Sequence, residues 1–440
     1  MKAKYFAVLP MLAGMIVLAA CAGAVYQPPP TMTQVATPLP PTVIPTERPA
    51  GGPQSIPECV LDAFGCAVIP PDETIKIGMA GPMTGDYAAF GADISQAGQL
   101  AIEAFGQYLD WRFELVLGDT QGDPAQAVPV AEAWVEDPTF VAVAGHIFSG
   151  ETREAIPIYE AHGIPMMSPS ATNPELTRLG STVFNRLAFT DLVQAEYATA
   201  YLFDKLQVRR LAVIHDGQPY GQALAEMVTD NFQRRGGEIV AQAVIEQADG
   251  DLTETLAGIL AAEPEAIYYG GYDNVAIAIV NELAQLRSGG ALTEGTPEAE
   301  AAGPIFFGCD GTFGENFLVS TGVNGEGAYA ASLLPPDSDA KRNFDALYTE
   351  RYGVAPGAFS PYTWHGYDAV GVLIYAVKRV AILGADGNLY VPRGALVETV
   401  RTLQGYPGLT GEIGCNEVGE CSTTGPSFYM IAGGEWVPAP

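Results

Sequence analysis

The stretch at residues 141–180 reads VAVAGHIFSGETREAIPIYEAHGIPMMSPSATNPELTRLG, and its pattern returns at residues 211–228 as LAVIHDGQPYGQALAEMV. In both, an apolar run of strand length ends in a small polar cluster, and the cluster opens an amphipathic segment of helical period. This succession of strand, loop and helix predicts a parallel sheet. Ligands bind outside the carboxyl ends of such strands, so the loops that carry Ser149, Ser170 and Tyr220 are the candidate site.

Further strand and helix patterns lie on both sides of this stretch. Residues 74–80 (TIKIGMA) predict a buried first strand, and residues 113–120 (FELVLGDT) predict the second. Another series begins after Asp191 and alternates helix and strand patterns as far as the apolar run PIFFG at residues 304–308. Two such series predict two α/β lobes with a cleft between them. Residues 287–303 are rich in Gly, Ala and Glu without a period and predict an exposed loop.

The loops at the strand ends predict a negatively charged ligand group. In SATNPE, Thr172 or Asn173 is placed to cap a helix, and Pro174 to occupy its first position. Ser149 stands in the same way before GETREAIPIYEA. The free N–H groups and positive dipole end of a helix start favour a carboxylate. Each of these residues fits the role of a simple helix cap equally well.

Four segments, GHIFSGET, PIYEAHGIPMMSPSATNPELT, HDGQPYG and YYGGYDN, closely resemble the leucine/isoleucine/valine-binding protein family. Its members are the type I periplasmic solute receptors of ATP-driven branched-chain amino acid importers. The likeness runs from about residue 74 to 369 and fades toward the C-terminus. It implies an α/β fold of two Rossmann-like lobes joined by three crossovers, which we place near residues 190, 332 and 406. Lobe one would take 72–190 and 333–405, and lobe two 191–332 and 406–440.

Matched residue by residue, the resemblance implies a split site for a small amino acid, branched-chain or otherwise aliphatic. The residues at the carboxylate end are Ser149, Ser170, Ala171 and Thr172, the alanine through its backbone. The residues at the ammonium end are Tyr220, Tyr272 and Asp310. The family commonly has an acidic residue at the position of Asp310. Aspartate is the shorter of the two acidic side chains and leaves some extra space there.

Three aromatic residues are expected to line the pocket for the ligand side chain: Tyr87, Phe90 and Phe148. Phe148 fits core packing equally well. Glu151 has no obvious counterpart in the family, and either caps its helix or narrows the range of ligands.

The N-terminus has the pattern of an export signal. Lys2 and Lys4 precede a short apolar core at residues 6–20, and the sequence LAAC at residues 18–21 resembles the bacterial lipoprotein box. The resemblance implies cleavage of residues 1–20 and a diacylglyceryl anchor on Cys21. The alternative is an ordinary signal peptide with an incidental cysteine. The Pro- and Thr-rich composition that follows predicts an extended tether over residues 21–71.

Six cysteines fit an oxidising compartment. If Cys21 is lipidated, the obvious local pairs are Cys59 with Cys66 and Cys415 with Cys421. Cys309 then remains as a single thiol, expected to be buried after the apolar run PIFFG. Spacing alone does not establish these pairs. A zinc site is a poor alternative, because no histidine accompanies either pair.

Charge and motifs argue against several classes of protein. A net charge of −30 over 440 residues opposes nucleic-acid binding, which needs basic patches. GMAGPMTG lacks the glycine order of a dinucleotide loop, and the HIFSG segment around Ser149 is not a nucleophile elbow. His146 and His215 lie beside strand ends, but no ordered triad accompanies them. We therefore expect no enzyme activity, no cofactor and no metal.

The resulting hypothesis is a monomeric, membrane-anchored receptor outside the cytoplasm that delivers an amino acid to the membrane permease of an ABC importer. Two alternatives remain open. One is a receptor of the same fold for an amide, urea or an aromatic acid. The other is a sensory ligand-binding module for a signalling partner.

Overall fold

The computed structural model describes residues 56–440 except 249, 251, 289–302 and 422–424. The predicted signal peptide, Cys21 and the tether as far as residue 55 lie outside the described residues. So does most of the loop expected at residues 287–303.

The strands are β1 (Cys66–Ile69), β2 (Ile75–Gly81), β3 (Gln107–Tyr108), β4 (Trp111–Asp119), β5 (Phe140–Val143), β6 (Met166–Ser168), β7 (Phe184–Arg186), β8 (Arg210–His215), β9 (Glu238–Val244), β10 (Ala266–Gly270), β11 (Ile305–Gly308), β12 (Tyr329–Ser332), β13 (Ile382–Leu383), β14 (Leu389–Pro392), β15 (Tyr406–Gly408), β16 (Gly411–Ile413), β17 (Ser427–Ala432) and β18 (Glu435–Pro438). The α-helices are α1 (Pro57–Leu61), α2 (Ala88–Phe105), α3 (Pro124–Val135), α4 (Ser149–His162), α5 (Glu175–Arg178), α6 (Asp191–Ala200), α7 (Pro219–Arg234), α8 (Thr253–Ala261), α9 (Asp273–Ser288), α10 (Glu315–Thr321), α11 (Asp339–Tyr352), α12 (Thr363–Val380) and α13 (Arg393–Arg401).

The first lobe is built on a sheet with strand order β3-β4-β2-β5-β6-β7, in which β4 to β7 run parallel. Both faces of its central strands are buried, because helices cover the sheet on both sides. One face packs on α2 and α12, where Met79 lies close to Val370. The other packs on α3 and α4, around Trp134 and Tyr159.

The second lobe has a sheet with strand order β18-β17-β12-β11-β10-β8-β9. The strands from β9 to β12 are parallel, and β17 and β18 add an antiparallel hairpin at the edge. Its buried strand β10 reads AIYYG, an apolar run of the kind expected when both faces are covered. Two lobes with parallel sheets confirm the predicted α/β fold.

The chain passes between the lobes after β7, after β12 and again before β17. The third passage differs from the expected boundary at residue 406. Residues 406–421 stay with the first lobe, because the N–H groups of Leu409 and Thr410 donate to the Asp368 carboxylate on α12 at 2.8 Å each. The loop that follows also pairs with β7 through Arg186. The second-lobe part of this segment therefore begins after Cys421.

The end of the expected tether is folded. The composition predicts an extended tether as far as residue 71. Residues 56–71 instead contain α1 and β1, and β1 pairs antiparallel with β14. The side chains of Ile56 and Ile69 are fully buried, the former against Tyr390. Strand β14 lies more than 300 residues later in the chain, so no local sequence pattern predicts this pairing.

Two disulfides are present, Cys59–Cys66 and Cys415–Cys421. Cys309 is a buried free thiol whose Sγ donates to the carbonyl of Gly271 at 3.1 Å. Within the described ranges, no helix combines the length and the apolar character needed to cross a membrane.

Candidate functional site

The predicted site residues meet where the two sheets face each other across the cleft. Loops after β5 and β6 of the first lobe oppose loops after β8, β10 and β11 of the second. Between them lies a cavity of about 10 Å³, lined by Phe90, Ile147, Phe148, Ser149, Ser170, Thr172, Tyr220, Tyr272, Asp310, Gly311 and Tyr362. Eight of the ten predicted ligand-binding residues are in this lining. Tyr87 packs beside it, and Ala171 lies in the same loop as Ser170 and Thr172.

The loop of residues 168–173, here called the anion loop, is held close to the start of α4. Ser149 opens that helix, and its Oγ accepts the N–H of Asn173 at 3.3 Å. Ser170 donates its hydroxyl to the carbonyl of Ile147 at 2.7 Å, so this hydroxyl joins two loops. Thr172 is 1% exposed and lines the cavity. These residues place hydroxyls and a helix N-terminus at one side of the cavity, where an anion is favoured.

Ser168 contributes to this loop and was not predicted. Its Oγ accepts the N–H of Ala171 at 3.0 Å and donates to the carbonyl of His146 at 2.7 Å. It thereby fixes the turn that carries Ser170 and Thr172. The sequence signal was available, because Ser168 directly ends the apolar run of β6.

Asp310 occupies the opposite side, in a short 3-10 turn after β11. Its Oδ1 accepts hydrogen bonds from Gln194 Nε2 at 2.6 Å and from the Tyr220 hydroxyl at 2.5 Å. Its Oδ2 accepts the hydroxyl of Tyr362 at 2.6 Å. All three donors are neutral and the residue is 3% exposed, so its charge lacks a bonded cation. Such a carboxylate favours a positively charged ligand group.

Gln194 and Tyr362 were missed by the sequence interpretation. Tyr362 precedes α12 in the first lobe, so its bond to Asp310 joins the two lobes. Gln194 lies in the first turns of α6, and its Oε1 accepts the N–H of Asp310 at 3.0 Å. Both contacts depend on tertiary structure and have no local signature.

A second buried carboxylate, that of Asp191, stands beside this group. Both of its oxygens are buried without a hydrogen-bond partner. Burial raises the pKa of Asp191 well above its usual range, and the nearby charge of Asp310 raises it further. The hydroxyl of Thr172, the charge of Arg186 and the side chain of Gln194 lie near enough to oppose this rise, although none of them forms a hydrogen bond with the carboxylate. Asp191 is the first residue of α6, which follows β7. This position between a strand and a helix is the sequence signal that indicates a site residue.

Aromatic rings fill the space between the two ends. Phe148 of the first lobe stacks on Tyr272 of the second with ring centroids 4.1 Å apart. Tyr87 and Tyr220 pack against the same Tyr272 ring at 5.1 and 5.3 Å, and Phe90 packs edge-on against Phe148 at 5.4 Å. The remaining cavity has room for about one water. A larger ligand therefore requires the rings of the two lobes to separate.

Glu151 is a helix cap in this structure. It is fully buried, its Oε2 accepts the N–H of Phe148 at 3.2 Å, and its Oε1 accepts the hydroxyl of Thr120. Burial raises its pKa to about 7. It does not line the cavity, and the observed contacts are those of the capping role.

The imidazole rings of the two histidines next to strand ends do not hydrogen-bond to Ser149 or Ser170. His146 is buried with its Nε2 3.0 Å from the Tyr159 hydroxyl, and burial lowers its pKa to about 3. His215 uses Nδ1 to accept the N–H of Gly217 at 3.1 Å. These contacts are structural.

A wider groove of about 990 Å³ lies outside the cleft, with Phe313, Leu318 and Trp436 among its lining residues. Its larger volume does not make it the better site for a charged small ligand. In the cleft the buried carboxylate of Asp310 faces hydroxyls and a helix N-terminus, whereas the three carboxylates that line the groove, Glu315, Glu326 and Glu435, are exposed.

Two parallel-sheet lobes joined by three passages, with a polar site between them, define the class of two-lobed solute-binding proteins. Residues 74–420 match the family of periplasmic binding proteins, and the chain belongs to this family. The match confirms the resemblance drawn from the sequence motifs.

Individual relatives agree with this assignment. A leucine-specific-binding protein of Salmonella typhimurium is 31% identical over 314 residues, which are 70% of this chain and 80% of that protein. A leucine-binding protein of Thermotoga maritima has a similar structure, with a TM-score of 0.72, 25% identity, and coverage of 83% of this chain and 98% of the other. A branched-chain amino acid transporter substrate-binding protein of Streptococcus pneumoniae, solved with isoleucine, gives a TM-score of 0.69 at 25% identity and the same coverage.

Proposed function

We propose that this protein is an extracytoplasmic receptor that binds a free α-amino acid with an aliphatic side chain and delivers it to an ABC importer. One observation carries the proposal. The buried carboxylate of Asp310 faces a set of hydroxyls and a helix N-terminus across one closed cleft, and the buried Asp191 lies near it. This arrangement matches the separated charges of an amino acid zwitterion.

The ligand carboxylate is assigned to the first lobe. Ser149 and Thr172 would donate their hydroxyls, and the start of α4 would add backbone N–H groups and its dipole. Ser170 and Ala171 would shape the loop that brings these donors together, since their own polar atoms bond to Ile147 and Ser168.

The ligand ammonium is assigned to Asp310 and Asp191. Within the second lobe Asp310 is held by Tyr220 and Gln194, so its carboxylate keeps its position when the contact with Tyr362 breaks to admit a cation. Asp191 has acceptors without donors. An ammonium offers three donors and a charge that compensates both acids.

The ligand side chain is assigned to the aromatic cluster of Tyr87, Phe90, Phe148 and Tyr272. The observed contacts among these rings are with one another, so the cluster favours an apolar side chain. An aromatic acid would lack the ammonium, and an amide or urea would lack both charges. Either would leave the carboxylates of Asp191 and Asp310 without a cation.

Transport coupling follows from closure. Contacts such as Tyr362 with Asp310 and Phe148 with Tyr272 join the lobes and must break for a ligand to enter. A ligand that bridges both lobes then favours the closed form. The relatives named for leucine and for branched-chain amino acid transport support an importer as the partner.

The anchor proposed at Cys21 rests on the sequence pattern alone. Cys21→Ser should release the protein from membranes without changing ligand affinity, because the acyl chains would supply the attachment. Membrane fractionation after a salt wash tests this. A variant that still sediments with membranes would rule out the lipoprotein assignment.

We propose a monomer, since each chain contains both halves of the site.

A thermal-shift screen of the twenty amino acids, short amides and benzoate tests the function. At about 100 times Kd a ligand that binds only the native state adds roughly 2.7 kcal/mol. Leucine, isoleucine or valine should give a clear rise in melting temperature. A rise with benzoate or an amide, and none with any free amino acid, would favour a receptor for the other ligand class.

A further inference from the structure

The anion loop is held from behind by a buried guanidinium. Arg186, at the end of β7, is fully buried. Its Nη1 donates to the carbonyl of Ala171 at 3.1 Å and to that of Asn173 at 2.7 Å. These carbonyls lie on either side of Thr172. Arg186 is not among the residues that line the cavity, so it acts on the loop from the side away from the cleft.

This contact sets the direction of a backbone donor. In a trans peptide the C=O and the next N–H point in opposite directions. When the Ala171 carbonyl is fixed toward Arg186, the N–H of Thr172 is turned away from Arg186. Thr172 lines the cavity, and its N–H is thereby oriented toward the cleft.

Arg186 is in turn oriented by a segment far along the chain. Glu420 accepts its Nη2 at 2.7 Å and its Nε at 3.1 Å, a two-point ion pair. Backbone hydrogen bonds hold the same two segments together. The Arg186 N–H donates to the carbonyl of Gly419 at 2.9 Å, and the Cys421 N–H donates to the Arg186 carbonyl at 2.9 Å. Glu420 lies in the loop closed by the Cys415–Cys421 disulfide.

We propose that Arg186 and Glu420 are a positioning pair that orients the anion loop and thereby sets the affinity for the ligand carboxylate. The Cys415–Cys421 loop keeps Glu420 in register with β7. Neither residue lines the cavity; the pair acts through the peptide at Thr172, and the Arg186 charge also lies near enough to Asp191 to lower its pKa. This inference rests on the proposed function, since it assigns a carboxylate to that loop.

The test compares two substitutions of Glu420 by calorimetry with leucine and leucinamide. Glu420→Ala should weaken leucine binding by about tenfold or more, the scale of one lost hydrogen bond to a charged group. Leucinamide, which has no carboxylate, should lose much less. Glu420→Gln keeps an acceptor for Arg186 and should retain most of the affinity. Such rescue separates positioning from a long-range charge effect.

A matched pair of disulfide variants extends the test. Removing Cys415–Cys421 with two serines should weaken leucine more than leucinamide. Removing Cys59–Cys66 in the same way should leave both affinities unchanged, because that disulfide lies at β1, away from the anion loop. Both variants would be checked for folding by circular dichroism and ligand-free melting.

The outcomes separate this inference from the proposed function. Equal losses in Glu420→Ala and Glu420→Gln, equal losses for the two ligands, or unchanged affinity in all variants would each overturn the positioning role while leaving the receptor function intact. A parent protein that binds no free amino acid would contradict the proposed function, and the inference would fall with it.

Discussion

In the proposed function, the carboxylates of Asp310 and Asp191 give the site its preference for a cation. Asp310 accepts three hydrogen bonds from neutral donors, and Asp191 accepts none. Burying acids in this way is costly unless a cation completes the site. The opposing hydroxyls are neutral, so a lost donor on that side leaves no buried charge. The two ends of the site should therefore respond unequally to substitution.

Asp310→Ala should cost about 3–5 kcal/mol of amino acid binding, the range for removing one partner of a buried ion pair. Thr172→Ala should cost roughly 1–3 kcal/mol, as one lost hydrogen bond to a charged group. Titration calorimetry on the parent and both variants gives the order. If Asp310→Ala binds as tightly as the parent, the ammonium lies elsewhere in the cleft.

Residues of the site were predictable where they closely follow a strand in the sequence. Ser149, Thr172, Tyr220 and Asp310 all follow apolar runs, and the structure brings them to one cavity. Tyr362 was not predictable, because its contact with Asp310 depends on how α12 of one lobe meets β11 of the other. The same holds for Arg186 and Glu420, which are 234 residues apart in sequence.

At the scale of elements, the strand–loop–helix alternation predicted β2, β4, β5, β6 and β8 to β11, since each of these strands is an apolar run bounded by turns. It did not predict β3, which is only Gln107–Tyr108, or β7, whose sequence Phe184–Arg186 contains two polar residues. The sheet β1-β14-β13 was missed. Its strands are short and come from distant parts of the chain. The Pro- and Thr-rich composition before β1 predicted an extended tether as far as residue 71. Burial of Ile56 and Ile69 shows that this segment belongs to the folded lobe.

Two truncations test the role of this segment. A chain that begins at Ile56 should keep the stability of the mature protein, whereas one that begins at Asp72 should lose about 3 kcal/mol or more. The loss follows from removing two fully buried isoleucine side chains, Ile56 and Ile69, whose burial is worth about 1.5–3 kcal/mol each. Guanidinium unfolding measures it. Equal stability of the two chains would mean that α1 and β1 contribute nothing to the fold.

At the scale of the whole molecule, buried acids give stability a particular dependence on pH. Burial raises the pKa of Glu151 and of Asp216 to about 7, and that of Asp93 and Asp368 to about 6. Their ordinary values are 4.5 for Glu and 3.8 for Asp. Between about pH 4 and 7 these four carboxyls therefore hold protons in the fold that the unfolded chain releases, and together they outweigh the buried His146 and His365, whose pKa burial lowers to about 3 and which act in the opposite direction. The free energy of unfolding should fall as the pH rises through this window.

The ligand-free protein should accordingly melt at a lower temperature at pH 8 than at pH 5. Glu151→Gln removes one of the responsible groups, keeps an acceptor for the N–H of Phe148 and can donate its amide to the Thr120 hydroxyl, so its melting temperature should fall less over the same range. Calorimetric scans at several pH values check both statements. A parent that is equally or more stable at pH 8 would show that these carboxyls ionise normally in the fold.

The central claim is that one cleft recognises both charges of an amino acid. Calorimetry with leucine, with leucinamide and with 4-methylpentanoate, which is leucine without its amino group, tests it most directly. The account predicts that leucine binds and that removing either charge weakens binding by at least tenfold, the scale of one hydrogen bond to a charged group. Binding of 4-methylpentanoate as tight as that of leucine, or tighter, would contradict the account, because Asp191 and Asp310 would then repel the preferred ligand.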